Sequence, residues 1–362
     1  MTGTFATVRK FAVAAAIAAV GLPPAATTPA AAAEKLVMAV NRPASIAYGP
    51  WAMAAQMGYF AEEGIEFELV TILGAGNQIP QIVNKGIHVG HIEPDPMLGV
   101  FQPGRDRPPV RYVYNHYRRT VWEIVVKESS PLKSLGDLKG KKIGIPNFEA
   151  LPSKILDTAF RQGSIGTGAD VEFVNVTAGA SALPPFMKGD VDALFTLVAL
   201  HEMLPTRGVA IRRIPIGRFA EIMGHGFVAH EDTIRNNPKL LAGYGRATTK
   251  GTIACQANIE ACVRMYWKQW PDQKPSRGSD AEIMAEQKAV MNAYFDKLFP
   301  AAGERWGAFA AEPLRTVAEV LHAAGQLRTL EIPYEAMFTN ALVDDYNKFD
   351  AAAVVAAARA LK

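Results

Sequence analysis

One α/β pattern occurs twice along this chain, and it is the feature that most constrains the fold. Short apolar runs rich in β-branched residues alternate with longer amphipathic segments from Leu36 onward, which predicts strands joined by helices. Adding 103 to the residue number takes Gly76 to Gly179 and Lys85 to Lys188. In both copies a strand leads through a small-residue turn into a helix, and a Lys-Gly turn then leads into another strand. The repeat predicts an α/β protein with two lobes of like topology.

The order of the pattern predicts a first lobe made of two separate stretches. The chain has 362 residues, 49% of them hydrophobic, which is enough to bury a core in more than one lobe. Residues 121–127 and 226–230 are the predicted connections between the lobes, and the chain after residue 232 is mostly helical. We therefore expect residues 34–126 plus 227–362 to form lobe I and residues 127–226 to form lobe II.

The first 33 residues have the composition of a secretory signal peptide. Arg9 and Lys10 precede an apolar run at residues 11–22, and three alanines ending at Ala33 supply a cleavage site. The apolar run is shorter than the ~20 residues that span a bilayer, although an uncleaved anchor stays open as an alternative. No cysteine stands just after this segment, so no lipid anchor is expected. We predict a periplasmic protein, cleaved near Ala33.

Charge and motifs argue against several classes of function. The 38 basic and 35 acidic residues leave a net charge of +3, too small to imply a nucleic-acid partner. The sequence contains no GxSxG, Walker or HExxH motif, so we predict a non-enzymatic monomer with no catalytic residue, cofactor or metal site. His88 and His91 are three residues apart in a predicted strand, where they point to opposite faces. Three further histidines stand alone in the sequence: His116, His201 and His225.

Cys255 and Cys262 are the only cysteines. On one continuous helix their Cα atoms would lie ~10 Å apart, which is too far for a disulfide. Asn258 is a good N-cap and Glu260 follows it in the first turn, so a helix break there would fold the two cysteines together. An oxidising compartment would then favour a disulfide. Two separate cysteines packed in a helical core remain the alternative.

Three segments resemble a known family. They are GYFAEEGI at residues 58–65, LGDLKGKKIG at residues 135–144 and KGDVDA at residues 188–193. At these segments the chain is similar to the periplasmic binding proteins of ABC importers for nitrate, alkanesulfonates, taurine and thiamine-pyrimidine precursors. The resemblance implies a two-lobed type II periplasmic binding fold, in which each lobe is a mixed, mostly parallel sheet flanked by helices. It also implies a small-molecule ligand in the cleft between the lobes and an ABC permease as the membrane partner.

Polar side chains that follow the predicted strands are the candidate ligand contacts, because ligands of open α/β sheets bind outside the carboxyl ends of the strands. The candidates in the first lobe are Asn41, Arg42, Ser45, Tyr48, Gly76, Asn77, Glu93, Asp95 and Tyr117. The candidates in the second lobe are Asn147, Glu149, Thr177, Gly179, Ser181 and Thr196. Arg42 suits an anion, whereas Glu93 and Asp95 suit an amine, amide or hydroxyl group. The class of ligand therefore stays open.

These features predict the solute-binding component of an ABC importer, which captures a small polar organic or anionic solute and delivers it to a membrane permease. The expected solutes are a sulfonate, nitrate, taurine or a pyrimidine-like compound. Two alternatives stay open. One is a periplasmic ligand sensor for a membrane receptor, and the other is an enzyme like the thiamine-pyrimidine synthase of fungi, which resembles these binding proteins. That synthase family carries a cysteine-rich motif, whereas the two cysteines of this chain lie far along a helical region.

Overall fold

The computed structural model describes residues 33–362 apart from residues 43, 105, 147–150, 163–169, 178 and 277. The predicted signal peptide up to residue 32 and the candidates Asn147 and Glu149 therefore lie outside the described residues. The strands are β1 Glu34–Val40, β2 Ile65–Thr71, β3 Val89–Ile92, β4 Val110–Asn115, β5 Trp122–Lys127, β6 Lys142–Ile145, β7 Glu172–Asn175, β8 Ala193–Leu197, β9 Ile211–Ile214 and β10 Gly226–His230. The α-helices are α1 Gly49–Gln56, α2 Tyr59–Glu62, α3 Gln78–Val83, α4 Pro94–Val100, α5 Leu151–Gln162, α6 Leu183–Lys188, α7 Val198–His201, α8 Glu231–Asn236, α9 Pro238–Ala257, α10 Ile259–Gln269, α11 Asp280–Leu298, α12 Ala311–Ala323, α13 Val343–Tyr346 and α14 Ala351–Arg359.

The strands form two five-stranded sheets of the same plan. The first sheet has the order β2-β1-β3-β10-β4, and the second has the order β7-β6-β8-β5-β9. In the first sheet β1 is parallel to β2 and β3, and β10 is antiparallel to β3 and β4. In the second sheet β6 is parallel to β7 and β8, and β5 is antiparallel to β8 and β9. The predicted α/β fold, with a mixed sheet flanked by helices in each lobe, is confirmed.

The central strands are apolar on both faces because helices cover both sides of each sheet. Every residue of β3 is buried, whereas the edge strand β2 exposes Glu66 and Glu68 between partly buried apolar side chains. Since β1, β2 and β3 are parallel, their carboxyl ends at Val40, Thr71 and Ile92 meet at one edge of the first sheet. This edge holds most of the polar residues of the site described below.

The chain passes between the sheets twice, at residues 116–121 and 215–225. The two crossings are paired with each other through the backbone. The Tyr117 N–H donates to the His225 carbonyl at 2.9 Å, and the Gly224 N–H donates to the Tyr117 carbonyl at 2.8 Å. A side chain on the next residue, Gly226, would meet the Tyr112 ring at 2.6 Å. Glycine is therefore required where the second crossing enters the first sheet.

The observed crossings differ from the connections predicted at residues 121–127 and 226–230. Those two segments are almost entirely β5 and β10, the antiparallel strand of each sheet. Both strands are largely buried, because an apolar, β-branched run is more stable in a sheet than in an exposed connection. The lobe boundaries predicted after residues 126 and 226 thus fall within β5 and β10, and the crossings precede them.

The helices after β10 contain the two cysteines. Helices α9 and α10 meet at Asn258, whose side chain accepts a hydrogen bond from the Ala261 N–H at 3.0 Å. This break brings Cys255 and Cys262 together in a disulfide, with Cα atoms 5.0 Å apart. The alternative of two separate cysteines does not hold. Among the helices described, none has the length and apolarity that a membrane span needs.

Candidate functional site

Residues that follow β1, β2 and β3, together with residues of both crossings, line a cavity of about 440 Å³. Small-molecule sites commonly have volumes of about 300–1,000 Å³. We call it the main cavity. Its lining consists of Asn41, Arg42, residues 74–76, residues 93–96, residues 120–122, Pro152, Ile155 and residues 222–225.

Glu93 is positioned by the turn from β3 into α4. Its backbone is extended, and Pro94 occupies the first position of the helix, where a missing N–H costs nothing. The Tyr112 hydroxyl donates to the Glu93 carbonyl at 2.8 Å, which ties the turn to the sheet. The local sequence Glu-Pro-Asp-Pro thus holds two carboxyl groups, Glu93 and Asp95, in the wall of the main cavity.

Glu93 is the centre of a polar cluster in this wall. Its Oε1 accepts a hydrogen bond from Asn41 Nδ2 at 2.8 Å and lies 3.7 Å from an Arg42 guanidinium nitrogen. The same oxygen is 2.8 Å from His225 Nε2, an ion-pair distance, although neither nitrogen of that ring is aligned for a hydrogen bond. Burial raises the pKa of Glu93, but attraction to His225 and Arg42 and the hydrogen bond from Asn41 outweigh burial and lower the pKa to about 2. Glu93 is therefore ionised at neutral pH and partly neutralises Arg42.

Asp95 lies two residues further on, and its pKa is shifted in the opposite direction. Burial, and then repulsion by Glu93, raise the pKa of Asp95 to about 6. No ion pair or side-chain hydrogen bond joins Asp95 to another residue in the part of the chain that the structure describes. A protonated carboxyl donates one hydrogen bond, and an ionised one only accepts. Its own backbone N–H is the one hydrogen-bond donor that acts on the pKa of this carboxyl group, so the main cavity offers a second carboxyl group with free acceptor positions.

The rest of the main cavity is largely apolar. Trp122 comes from β5, Ile222 and Met223 come from the second crossing, and Pro152 and Ile155 come from α5. The indole of Trp122 provides a flat surface on which a planar ring can stack. Apolar walls with a few polar anchors are typical of sites for organic molecules.

A second, water-sized cavity of about 20 Å³ adjoins the first, and we call it the small chamber. It shares Asn41, Arg42, Val121 and His225 with the main cavity. The rest of its lining consists of Ser45, Ala47, Tyr48, His91, Tyr117 and Tyr294. The two cavities thus form one composite site with Arg42 and His225 in both parts.

Three buried histidines meet beside the cavities, although the sequence predicts them to be separate. His91 Nε2 lies 3.1 Å from His116 Nδ1, and the rings of His91 and His225 stack with centroids 4.5 Å apart. Burial, with repulsion from His225 next, lowers the pKa of His91 and lowers that of His116 to about 3. They come from β3 and the two crossings, so no local pattern links them. Within the described ranges, no group of three or more His, Cys, Asp or Glu side chains is arranged as a metal site.

The structure brings eight of the predicted contacts to the composite site. They are Asn41, Arg42, Ser45, Tyr48, Gly76, Glu93, Asp95 and Tyr117. Trp122, Met223 and His225 also line the main cavity but were not among the predicted contacts. They lie at or just after the crossings, which the sequence predicts a few residues too late. Their position next to the antiparallel strands is the signal that would have found them.

Five predicted contacts line neither cavity: Asn77, Thr177, Gly179, Ser181 and Thr196. The Asn77 amide donates to a carbonyl of its own turn at 2.7 Å. The hydroxyls of Thr177 and Ser181 lie 2.8 Å apart and bond each other. Thr196 is buried in β8, with its hydroxyl 2.9 Å from His201 Nε2. The side chains of Asn77, Thr177, Ser181 and Thr196 therefore all form hydrogen bonds within the protein.

A family model described as NMT1/THI5 like matches residues 46–261. The chain belongs to the NMT1/THI5-like family. It is 26% identical over 258 residues to the riboflavin-binding protein RibY of Chloroflexus aurantiacus, a match that covers 65% of this chain and 70% of RibY.

Solved structures share the fold of this NMT1/THI5-like chain. The periplasmic aliphatic sulphonate binding protein SsuA from Escherichia coli superposes with a TM-score of 0.63 at 16% identity, over 85% of this chain and 92% of SsuA. The desulfurization enzyme DSZB superposes with a TM-score of 0.52 at 14% identity, over 86% of this chain and 98% of DSZB. The type II periplasmic binding fold predicted from the sequence is confirmed, and this fold occurs in binding proteins and in an enzyme.

Proposed function

We propose that this chain is the periplasmic solute-binding component of an ABC importer, and that it captures a small aromatic heterocycle bearing N–H or amino groups. The observation that carries the proposal is the pair of carboxyl groups, Glu93 and Asp95, in a cavity that also has an apolar wall. Carboxylate oxygens accept hydrogen bonds from N–H donors. Trp122 supplies a stacking surface for the ring. The resemblance to a riboflavin-binding protein supports a heterocyclic ligand.

The charges of the main cavity favour this ligand over nitrate, taurine or another sulfonate. Arg42 is the cation that would hold such an anion, but Glu93 lies 3.7 Å from it and is ionised. An anion beside Arg42 would therefore also be repelled by Glu93. A neutral or amine-bearing heterocycle instead gains hydrogen bonds from the same carboxylate.

Capture follows from the position of the main cavity beside both crossings. The ligand contacts the edge of the first sheet on one side, and it contacts Trp122 and α5 on the other. A ligand that touches both lobes only when they are close together shifts the population towards the closed state. The closed monomer is then the form that the permease recognises.

A thermal-shift and calorimetric panel tests the proposal on the purified protein. The panel contains riboflavin, a 4-aminopyrimidine, taurine and nitrate. We expect one of the heterocycles to stabilise the protein, by about 2.7 kcal/mol at a hundredfold excess over the dissociation constant. Stabilisation by taurine or nitrate, with no effect of either heterocycle, would show that the site is an anion site.

Two further measurements separate binding from catalysis and from sensing. Both cysteines of the chain are joined in the disulfide, so the protein has no free thiol to act as a nucleophile. We expect mass spectrometry to recover the bound heterocycle unchanged after prolonged incubation. We also expect the loaded protein to stimulate ATP hydrolysis by the cognate reconstituted permease, which a sensor for a membrane receptor would not do.

A further inference from the structure

Three tyrosines from separate parts of the chain surround the small chamber. Tyr48 precedes α1, Tyr117 lies in the first crossing and Tyr294 lies in α11. Their exposed fractions are 3%, 5% and 6%. The Tyr48 hydroxyl donates to the Arg42 carbonyl at 3.2 Å. The hydroxyls of Tyr117 and Tyr294 make no hydrogen bond to any residue that the structure describes.

Arg42 lies close to all three tyrosines. Burial raises the pKa of each phenol, and the positive charge of Arg42 opposes that rise in every case. Arg42 also lines both cavities, so this residue stands at their junction. The small chamber therefore gathers hydrogen-bond donors, which are two phenol hydroxyls and a guanidinium. The main cavity, in contrast, presents the carboxyl groups of Glu93 and Asp95.

With no partner among the described residues, the hydroxyls of Tyr117 and Tyr294 can bond only to a water molecule or to a ligand atom in the small chamber. A volume of about 20 Å³ is enough for one water molecule or one atom of similar size. The partner that would satisfy Tyr117 and Tyr294 is thus a single acceptor atom that enters from the main cavity. An oxygen atom has the required size and two lone pairs for two donors.

We propose that the small chamber is a subsite for one oxygen atom of the ligand, a ring carbonyl oxygen. The hydroxyls of Tyr117 and Tyr294 donate to this oxygen beside the Arg42 guanidinium, while the rest of the ligand occupies the main cavity. The inference rests on the proposed function and narrows it. The ligand carries an exocyclic oxygen at one end and N–H donors at the other, as a cyclic amide or imide does.

A formamide titration tests the subsite without knowledge of the ligand. Formamide is a small neutral molecule whose carbonyl oxygen can enter the small chamber, and Glu93 does not repel it. The full protein is labelled with 13C in its tyrosine rings, and the signals of Tyr117 and Tyr294 are assigned with the variants Tyr117→Phe and Tyr294→Phe. We expect saturable shifts of these two signals. If neither signal shifts at a formamide concentration that saturates the other signals or the thermal stability, the proposal is overturned.

The phenylalanine variants also measure the affinity that each hydroxyl contributes. We expect each variant to bind formamide about fivefold more weakly, because one hydrogen bond is worth about 1 kcal/mol. Tyr59→Phe is the matched control, since the buried Tyr59 hydroxyl also lacks a partner but lies outside both cavities. It should leave the formamide affinity unchanged. Equal affinities in all three variants would show that neither tyrosine hydroxyl holds formamide, which contradicts the subsite.

Failure of the subsite and failure of the proposed function give different results. If formamide shifts the two tyrosine signals but neither heterocycle binds, the subsite stands and the heterocycle proposal is wrong. If riboflavin binds with the same affinity to wild type, Tyr117→Phe and Tyr294→Phe, the capture function stands and the oxygen subsite is wrong. A loss of riboflavin affinity in both variants, but not in Tyr59→Phe, supports both.

Discussion

Two turns at corresponding positions of the two sheets differ in their relation to the cavity. The turn after β2 contains Gly74, with a φ of 79°, and the turn after β7 contains Thr177, with a φ of 65°. Residues 74–76 line the main cavity. Thr177 instead bonds within its own turn, with its N–H donating to Asn175 at 2.9 Å and its hydroxyl paired with Ser181.

The comparison teaches that two turns at corresponding positions need not both line the cavity. Glycine leaves its backbone uncovered, whereas the threonine hydroxyl closes the turn upon itself. The carboxyl groups of the main cavity, Glu93 and Asp95, likewise belong to the edge of the first sheet. Among the described residues, the second sheet and α5 contribute an apolar wall made of Trp122, Pro152 and Ile155.

The largest expected effect contrasts Glu93 with Ser181, which lies in the turn of the second sheet. Glu93→Gln should weaken binding of the panel heterocycle by on the order of 10- to 100-fold, because a hydrogen bond to a charged group is worth about 1.5–3 kcal/mol. Ser181→Ala is the matched control and should change the affinity less than twofold. Isothermal titration calorimetry measures both. Similar losses in the two variants would contradict the division of roles between the sheets.

A pH series sharpens the contrast between Glu93 and Asp95, the two carboxyl groups at the edge of the first sheet. The pKa of Asp95 is raised from 3.8 to about 6, so between these values the folded chain keeps a proton that the unfolded chain has released. Asp95 therefore costs stability as the pH rises through this window, by about 2–3 kcal/mol. The pKa of Glu93 is lowered to about 2. The ionised Glu93 therefore stabilises the folded state above pH 4.5, and this stabilisation is lost as the pH falls through 2.

Urea unfolding of Asp95→Asn at pH 4 and pH 8 checks this prediction. At pH 8 the variant should be more stable than wild type by about 2–3 kcal/mol, because it removes the cost of a buried charge. At pH 4 the two proteins should have nearly equal free energies of unfolding. The same difference at both pH values would mean that the pKa of Asp95 is not raised.

Removal of the apolar wall should have a smaller effect on binding. Trp122→Ala should weaken binding of the panel heterocycle by roughly tenfold, because it removes an aromatic surface worth about 1–1.5 kcal/mol in stacking. Trp122→Phe keeps an aromatic ring and should retain most of the affinity. The titration that serves for Glu93 measures both variants. If Trp122→Ala binds like wild type, the second sheet contributes no wall to the site.

The smallest effects come from the backbone of the two turns. Gly74→Ala should lower the free energy of unfolding by about 1–2 kcal/mol, because alanine is strained at this positive φ and its Cβ would lie 3.0 Å from Asn77 Nδ2. Thr177→Gly should change stability by less than about 0.5 kcal/mol, since relief of strain offsets the added freedom of the unfolded chain. Chemical denaturation measures the free energy of unfolding of both variants and of wild type. An equally large loss for Thr177→Gly would mean that its hydroxyl holds the second turn together.

Much of the fold is predictable because its signals are local. The offset of 103 residues and the apolar runs predict the two like sheets, and the N-cap at Asn258 makes the disulfide one of two stated options. The crossings are misplaced because β5 and β10 are apolar runs of the same kind as any strand. Only their pairing with β8 and β9, or with β3 and β4, shows them to be the antiparallel strands.

The sequence by itself determined the family, the two-lobed plan and the edge of the first sheet as a polar site, since strand ends and turn residues are local properties. Tertiary structure alone decided which side chains meet there. His91, His116 and His225, the three tyrosines of the small chamber, and Trp122 come from segments far apart in the chain. The opposite pKa shifts of Glu93 and Asp95, two residues apart, arise from partners and burial. Only the packed chain places a histidine and an arginine beside one carboxyl group and leaves the other unpaired.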